Sequence, residues 1–304
     1  MVIKISDKKI INNWLSKIYI PKSNSHKGQN GKLLIIGGSK LFHAACLWSA
    51  EIASHFVDLL HFSSTKENNE VFLSLKKFFR NGIVISQKDI LDYVAEDDVV
   101  LVGPGMVRSE NGILNLKFQI SNLNELFSIK DEGMVTAYLT KYLIDNFPTK
   151  KFVFDAGALQ MMDKKWLLKL KTPAVITPHQ KEFEKLFNFS LKNKTTEEKE
   201  KIVKDMANKF KTVILMKAVD DIISDGKETI LVHGGNQGLT KGGSGDVLAG
   251  LTAALYTKNK AFNSAVISSI LLKKSGEALF LKKGYWYNIS DLINVIPEVL
   301  SHSL

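Results

Sequence analysis

Val99-Val100-Leu101-Val102-Gly103-Pro104-Gly105 is a short apolar run that passes directly into a glycine–proline–glycine turn. A strand with one face in water alternates apolar and polar residues, whereas an unbroken run suits a strand buried on both faces of a parallel sheet. Runs of the same kind recur at residues 33–37, 58–62, 83–86, 152–155, 174–177 and 213–216, many rich in Val and Ile and most ending in Gly, Asp or Pro. Helical patterns lie between them at 44–53, 159–170 and 182–187. This alternation predicts an α/β domain with a parallel sheet and right-handed crossovers. Residues 222–224 and 229–232, joined through Asp225-Gly226, read as a hairpin. The segment 106–148 is polar and poorly periodic, and the topology is not legible there.

In such a sheet, functional residues lie just past the carboxyl ends of the strands. Gly37-Gly38-Ser39, Gly103-Pro104-Gly105, Asp155-Ala156-Gly157, Thr177-Pro178-His179 and Lys217 all occupy that position. The hairpin leads into Asn236-Gln237-Gly238-Leu239-Thr240-Lys241-Gly242-Gly243-Ser244-Gly245-Asp246, followed by the small, helix-favouring run from Val247 to Leu255. Glycines here let backbone N–H groups approach an anion, and a helix start adds its positive dipole end. Asp246 then sits where a carboxylate can take a proton from a hydroxyl while the amides stabilise a transferring phosphoryl group. The bland alternative is a plain turn with a capping Asp.

A chain of 304 residues with 45% hydrophobic content buries a large core. Its 41 basic and 31 acidic residues give a net charge of +10. The lysines are dispersed and mixed with acids, as in 192–204, which is a solvated surface rather than a nucleic-acid footprint. Cys46, the single cysteine, excludes an intrachain disulfide and a cysteine metal cluster, and its apolar setting reads as buried filler. The first residues lack a signal-peptide pattern and no apolar run reaches membrane-spanning length, so a cytoplasmic protein without membrane or nucleic-acid partners is expected.

Taken in order, six pieces resemble the ADP- or ATP-dependent NAD(P)H-hydrate dehydratases of the ribokinase-like superfamily. They are residues 26–39 (His-Lys-Gly-Gln-Asn-Gly-Lys-Leu-Leu-Ile-Ile-Gly-Gly-Ser), Val102-Gly-Pro-Gly105, Phe154-Asp-Ala-Gly-Ala-Leu159, residues 176–183 (Ile-Thr-Pro-His-Gln-Lys-Glu-Phe), Leu215-Met-Lys217 and Gly242-Gly-Ser-Gly-Asp-Val-Leu-Ala-Gly250. The resemblance implies a three-layer α/β/α domain with a mostly parallel central sheet over 26–304, preceded by an N-terminal helical appendage over 1–25. It implies a lyase that repairs hydrated NADH or NADPH, phosphorylating the ring hydroxyl from ADP or ATP and then eliminating phosphate. Asp246 would be the catalytic base. Lys217, Ala218, Val219, Asp220, Asp221, Gly243, Ser244 and Gly245 would bind the nucleotide. Ala45, Gly105, His179 and Asp246 would meet the substrate, Glu182 would hold Mg2+ through water, and His26, Lys27 and Gly31 would help close the substrate pocket. A homo-oligomer and a separate epimerase are expected.

The chain departs from the family pattern in several places. Gly157 stands where a carboxylate is usual, Gln160 where Asn is usual, and Val107 and Ala218 replace common glycines; the small pair after Gly-Gly-Ser is shifted toward His43-Ala44-Ala45. Lys241 replaces a small or hydroxyl residue and is expected either to reach a phosphate or to extend into solvent. Two other readings compete: a ribokinase-like kinase of a vitamin precursor, which would retain its phosphorylated product, and a catalytically silent nucleotide-binding relative. The intact Gly-Ser-Gly-Asp argues against the latter, since a pure binder needs no carboxylate facing the phosphoryl group.

Overall fold

The computed structural model describes residues 1–109 and 122–304. Ten strands form one sheet: β1 (Val2–Lys4), β2 (Lys32–Ile36), β3 (Leu59–Ser63), β4 (Ile83–Val84), β5 (Val99–Val102), β6 (Lys151–Phe154), β7 (Val175–Ile176), β8 (Val213–Met216), β9 (Asp221–Ser224) and β10 (Thr229–His233). Their spatial order is β1-β10-β9-β8-β7-β6-β5-β2-β3-β4. Every pairing is parallel except the two made by β9, with β8 and with β10. The chain builds outward from β2 through β3 to β4, then returns to β5 and builds the other way. The switch point lies between β2 and β5.

The unbroken apolar runs fill two cores. Leu33, Ile35, Val99, Leu101, Val153 and Leu215 face one side, while Leu34, Ile36, Val100, Val102, Phe152 and Phe154 face the other. On the first side lie α1 (Lys8–Leu15), α2 (Ala44–Ala53), α3 (Lys66–Ser74) and, later in the chain, the helices over Ser244–Tyr256, Ala261–Lys283 and Ile289–Ser301. The second side is covered by α4 (Ile90–Glu96), α5 (Leu123–Phe127), α6 (Glu132–Asn146), α7 (Ala156–Gln160), α8 (Gln180–Phe187) and α9 (Thr196–Phe210). The three late helices are α10, α11 and α12 in chain order. This is the three-layer α/β/α arrangement with a mostly parallel sheet.

Three expectations change. Residues 1–25 are not simply a helical appendage: β1 pairs with β10 and buries Ile3 completely, so this segment extends the sheet. The single helix expected over 159–170 is broken after Gln160. Met161 and Met162 turn into the core, and Asp163 caps a separate 3₁₀ segment over Lys164–Lys169 by accepting from the Lys165 N–H at 2.8 Å. The strand expected over 83–86 is confined to Ile83–Val84.

The poorly periodic 106–148 contains α5 and α6, while 110–121 lie outside the described residues. In α6 the buried hydroxyls of Thr136 and Thr140 donate to the carbonyls one turn back, at 2.9 and 2.7 Å. Satisfied in this way, polar residues sit in the core and blur the apolar stripe.

Leu101→Ala should lower stability by about 2–5 kcal/mol, because it opens a cavity in a central strand that is fully buried. Urea unfolding followed by circular dichroism checks this through a lower midpoint with an unchanged slope.

Candidate active site

The parallel strands deliver their loops to one edge of the sheet. Asp155 follows β6, Thr177 to His179 follow β7, and Lys217 follows β8. His179 and Lys217 are joined by an isolated parallel bridge. Lys217 Nζ donates to Asp155 Oδ1 at 2.8 Å, and the Thr177 hydroxyl donates to the same oxygen at 2.8 Å. Asp155 is almost fully buried. Burial alone would lower the Lys217 pKa, but the carboxylates of Asp155, Glu182 and Asp246 outweigh it and hold the ammonium above the usual lysine value. Ala156, next to Asp155, holds a left-handed φ of 43°, a strained conformation for a residue with a side chain.

Across from Lys217 lies the start of α10. Gly243 is its N-cap, with φ 106°, and makes no side-chain capping bond. A Cβ at Gly243 would lie 2.6 Å from the Trp48 ring, so both the backbone twist and the close packing require glycine. Nothing comes within 4 Å of a Cβ at Gly242, which faces open space. The Ser244 hydroxyl staples the turn from inside, donating to the Leu239 carbonyl at 2.6 Å, so its proton is committed within the turn.

Asp246 is the third residue of α10. Burial, then the Asp155 charge, raise its pKa to about 7 against the opposing pull of Lys217. The Ser49 hydroxyl donates to the Asp246 carbonyl at 2.8 Å, tying α10 to α2. Gly250 permits that close approach, since a Cβ there would meet the Ser49 carbonyl at 2.5 Å.

His179 and Glu182 form a capping box on α8. The Glu182 N–H donates to His179 Nδ1 at 3.3 Å, and the His179 N–H donates to Glu182 Oε2 at 3.0 Å. Gln160 donates its amide to Glu182 Oε1 at 3.0 Å. Both residues thus cap a helix, yet the His179 side chain remains half exposed and open to a substrate. Gly157 explains its own departure: any Cβ there would lie 2.3 Å from the Met106 carbonyl oxygen, so no side chain fits. Gly105 and Ala45 are brought together, with a Cβ at Gly105 lying 3.2 Å from the Ala45 Cβ.

Of the expected nucleotide residues, Lys217, Ala218, Asp221, Ser244 and Gly245 line one small cavity of about 100 Å³. Asp221 acts there as a brace. It is buried and accepts from the Ala218 N–H at 2.9 Å and from the Ser269 hydroxyl at 2.7 Å. Val219 is exposed, and Asp220 bonds His233 Nδ1 at 2.7 Å; both line a different hollow near β1.

Leu239, Leu272 and Lys273 also line the cavity, and sequence reading missed them. Lys273 is buried and donates to the Val219 carbonyl at 2.6 Å, holding the 218–221 loop. Its one signal was a lysine ending the apolar run that precedes it in α11.

Two further expectations are corrected. His26, Lys27 and Gly31 precede β2 and lie at the amino end of the parallel strands, where a Cβ at Gly31 would meet Thr257 beyond the far end of α10. They cannot close a pocket at the carboxyl end. Lys241 neither extends freely nor faces the phosphate turn: Nζ donates to the Tyr285 carbonyl at 2.5 Å and sits 4.9 Å from the Tyr287 ring centroid. Beneath Gly37 and Gly38 lies Cys46, fully buried, with its thiol pushed by burial up to about 12.

A helix start with uncapped amides next to a carboxyl tuned near neutrality is an arrangement suited to phosphoryl transfer. Residues 33–298 match the NAD(P)H-hydrate dehydratase family, and the chain belongs to it. It is 31% identical over 297 residues to an ADP-dependent (S)-NAD(P)H-hydrate dehydratase of Nitrosopumilus maritimus, covering 96% of this chain and 97% of the relative. It is 33% identical over 286 residues to a bifunctional NAD(P)H-hydrate repair enzyme of Methanocaldococcus jannaschii, covering 91% of this chain. The chain spans about half the length of that relative, with 50% of it covered.

Two solved structures share the fold. A ribokinase-like superfamily protein of Enterococcus faecalis gives a TM-score of 0.78 at 20% identity, covering 99% of this chain and 96% of the other. An ADP/ATP-dependent NAD(P)H-hydrate dehydratase of Bacillus subtilis, co-crystallised with ATP and Mg2+, gives 0.74 at 19%, covering 97% of each chain. The fold is therefore ribokinase-like.

The raised Asp246 pKa has a sign that can be tested. Between its usual value of 3.8 and about 7, the unfolded chain releases this proton while the folded protein keeps it, so the group's contribution to stability falls as pH rises through that window. Asp246→Asn, which does not ionise, should therefore gain in Tm over the unmodified protein on going from about pH 4 to about pH 8. Melting curves at the two pH values check it. Gly245→Val places a branched side chain against Lys217, whose Nζ would lie 3.3 Å from the new Cβ. It should weaken ADP and ATP binding by about tenfold or more, measured by calorimetry.

Proposed function

We propose that the chain dehydrates hydrated NADH or NADPH with ADP or ATP as the phosphoryl donor, restoring the reduced cofactor. The observation that carries the reading is Asp246: a half-buried carboxyl whose pKa is raised to about 7, on the first turn of a helix whose N-terminus no side chain caps. A base poised near neutrality can accept a proton and is still partly ionised at working pH.

In the first step the ring hydroxyl loses its proton to Asp246 as its oxygen attacks the terminal phosphoryl of the nucleotide. The P–O bond to the donor breaks and leaves the nucleotide one phosphoryl shorter. In the second step the ring C–O bond breaks, phosphate departs with that electron pair, and a proton lost from the adjacent carbon restores the double bond. The amides from Gly243 to Gly245 face the charge that develops on the transferring group. Lys217, held charged, adds a fixed positive charge beside it.

Ala45, Gly105 and His179 would meet the nicotinamide side of the substrate, His179 through its half-exposed ring. Lys217, Ala218, Gly243 and Gly245 would meet the donor, with Asp221 acting through the loop that it braces.

Mg2+ fits this site through water. Among the described residues no group of three or more His, Cys, Asp or Glu side chains could hold a metal ion, so its ligands would come chiefly from phosphate oxygens and water, as Mg2+ prefers. Glu182 would be the protein's contribution, each of its oxygens accepting an N–H and retaining a lone pair. The ion would neutralise phosphate charge. The proposal places the reaction in the cytoplasm with an epimerase as a working partner, in keeping with relatives named bifunctional repair enzymes. No helix among the described residues is long and apolar enough to cross a membrane.

Incubation with hydrated NADH, Mg2+ and either ADP or ATP should restore reduced-nicotinamide absorbance and release free phosphate. A stable phosphomonoester instead would indicate a small-molecule kinase. Asp246→Asn should lose about 10²- to 10⁴-fold in rate with nucleotide affinity near normal, and retention of more than about a third of the rate would remove Asp246 as the base. The unmodified rate should fall as pH drops below about 7, where Asp246 is protonated.

A further inference from the structure

Helix α11 lays one stripe of its surface along the small cavity beside α10, and that stripe is not apolar. Ser269, Lys273, Gly276 and Glu277 stand at i, i+4, i+7 and i+8, the spacing that puts residues on one helix face. Each of them grips a loop. The Ser269 hydroxyl donates to Asp221 Oδ2 at 2.7 Å. The Gly276 carbonyl accepts from the Asn236 side-chain amide at 2.7 Å, and Glu277 Oε1 accepts the Gly235 N–H at 3.3 Å. A Cβ at Gly276 would lie 2.9 Å from Leu239 Cδ1, so Leu239 packs directly on the helix there. Two segments are held in this way. The loop 218–221 supplies Ala218 and Asp221 to the cavity wall, and the segment 234–239 supplies Leu239 and leads into the glycine turn with Ser244 and Gly245.

Lys273 is the member of the stripe that touches both segments. It is buried, and its Nζ donates to the Val219 carbonyl at 2.6 Å, to the Gly234 carbonyl at 3.3 Å and to the Ala218 carbonyl at 3.5 Å. The Asp221 carboxylate faces it at 3.7 Å. An ammonium carries three N–H donors and no acceptor, so three carbonyls match its donors one for one. Burial raises the Asp221 pKa, and the Lys273 charge is the strongest influence against that rise. A buried cation is costly unless oxygens replace its hydration, and here those oxygens belong to the two segments that flank the cavity.

We propose that Lys273 is a positioning residue for the phosphoryl donor: its ammonium ties the 218–221 loop to the 234–239 segment and fixes the spacing of the cavity walls between which the nucleotide binds. It acts through the two segments and not by touching phosphate. This rests on reading the cavity beside α10 as the donor site, and it adds what holds that site in shape before the nucleotide arrives. Walls ordered in advance need not be ordered at the expense of binding.

The test is calorimetric binding of ADP and of ATP to the unmodified chain, to Lys273→Met and to Lys273→Ala. Methionine fills a similar volume without an N–H, and circular dichroism with a melting curve confirms that each variant folds. The expected result for Lys273→Met is a loss of about tenfold or more in affinity, equal for ADP and ATP, since the walls loosen whichever nucleotide is present. In Lys273→Ala, propylammonium replaces the missing chain and its N–H donors and should restore most of the affinity, whereas tetramethylammonium, a cation without N–H groups, should not. A residue with only a structural role would lower Tm and leave affinity alone. Affinity within about twofold of the unmodified chain in folded Lys273→Met would overturn the assignment. So would a much larger loss for ATP than for ADP, which marks direct phosphate contact, or a Lys273→Ala chain that propylammonium fails to restore or that both cations restore equally. Absence of ADP and ATP binding by the unmodified chain would overturn the assignment together with the donor site. A chain that binds ADP through Lys273 but does not restore hydrated NADH overturns the dehydratase reading alone.

Discussion

One half-buried ammonium organises the catalytic end of this molecule. Lys217 lies among Asp155, Glu182 and Asp246, which reach it from the ends of β6 and β7 and from the start of α10. A cation partly withdrawn from water is costly, and here it persists because the Asp155 carboxylate pairs with it at 2.8 Å and the charges of Glu182 and Asp246 add to the attraction. Without the lysine, the charges of three carboxylates would oppose one another with no cation between them. The position of the cation depends on the sheet, since only parallel strands place these loops side by side.

The same cluster explains how Asp246 is tuned. Two carboxylates in a confined site cannot both ionise freely, so the one without a direct cation partner bears the shift. Asp155 has Lys217 at 2.8 Å and a threonine hydroxyl on the same oxygen, which makes it the paired carboxylate of the two. Asp246 is left as the group that exchanges its proton. Two identical side chains thus acquire different roles from their surroundings.

Much of this was legible in the sequence because it depends on strand ends and glycines. The β5 run and its relatives announced strands buried on both faces, and Gly243 to Asp246 announced a helix start open to an anion. What stayed hidden depended on satisfied polar groups and on chain direction. Thr136 and Thr140 in α6 carry their hydroxyls into the core by bonding to their own helix, which erases the apolar stripe that a reader looks for. Lys241 and Lys273 are committed to carbonyls on distant segments, at Tyr285 and Val219, and no local pattern encodes such partners. His26, Lys27 and Gly31 matched a family motif, yet they precede a strand rather than follow it, and that order alone puts them at the wrong end of the sheet.

Cys46 gives the molecule a built-in clock for local opening. Its sulfur lies 3.0 Å from where a Cβ of Gly38 would stand, directly beneath the loops of β2 and β5, which interlock where the Gly38 N–H donates to the Pro104 carbonyl at 2.7 Å. A thiol so buried, and protonated at any physiological pH, is silent toward alkylating reagents while the loops stay closed. Any modification of this single sulfur must therefore wait for the loops to part, so its rate counts how often the crevice opens. A ligand that pins Gly38 against Pro104 would slow that clock without touching the sulfur.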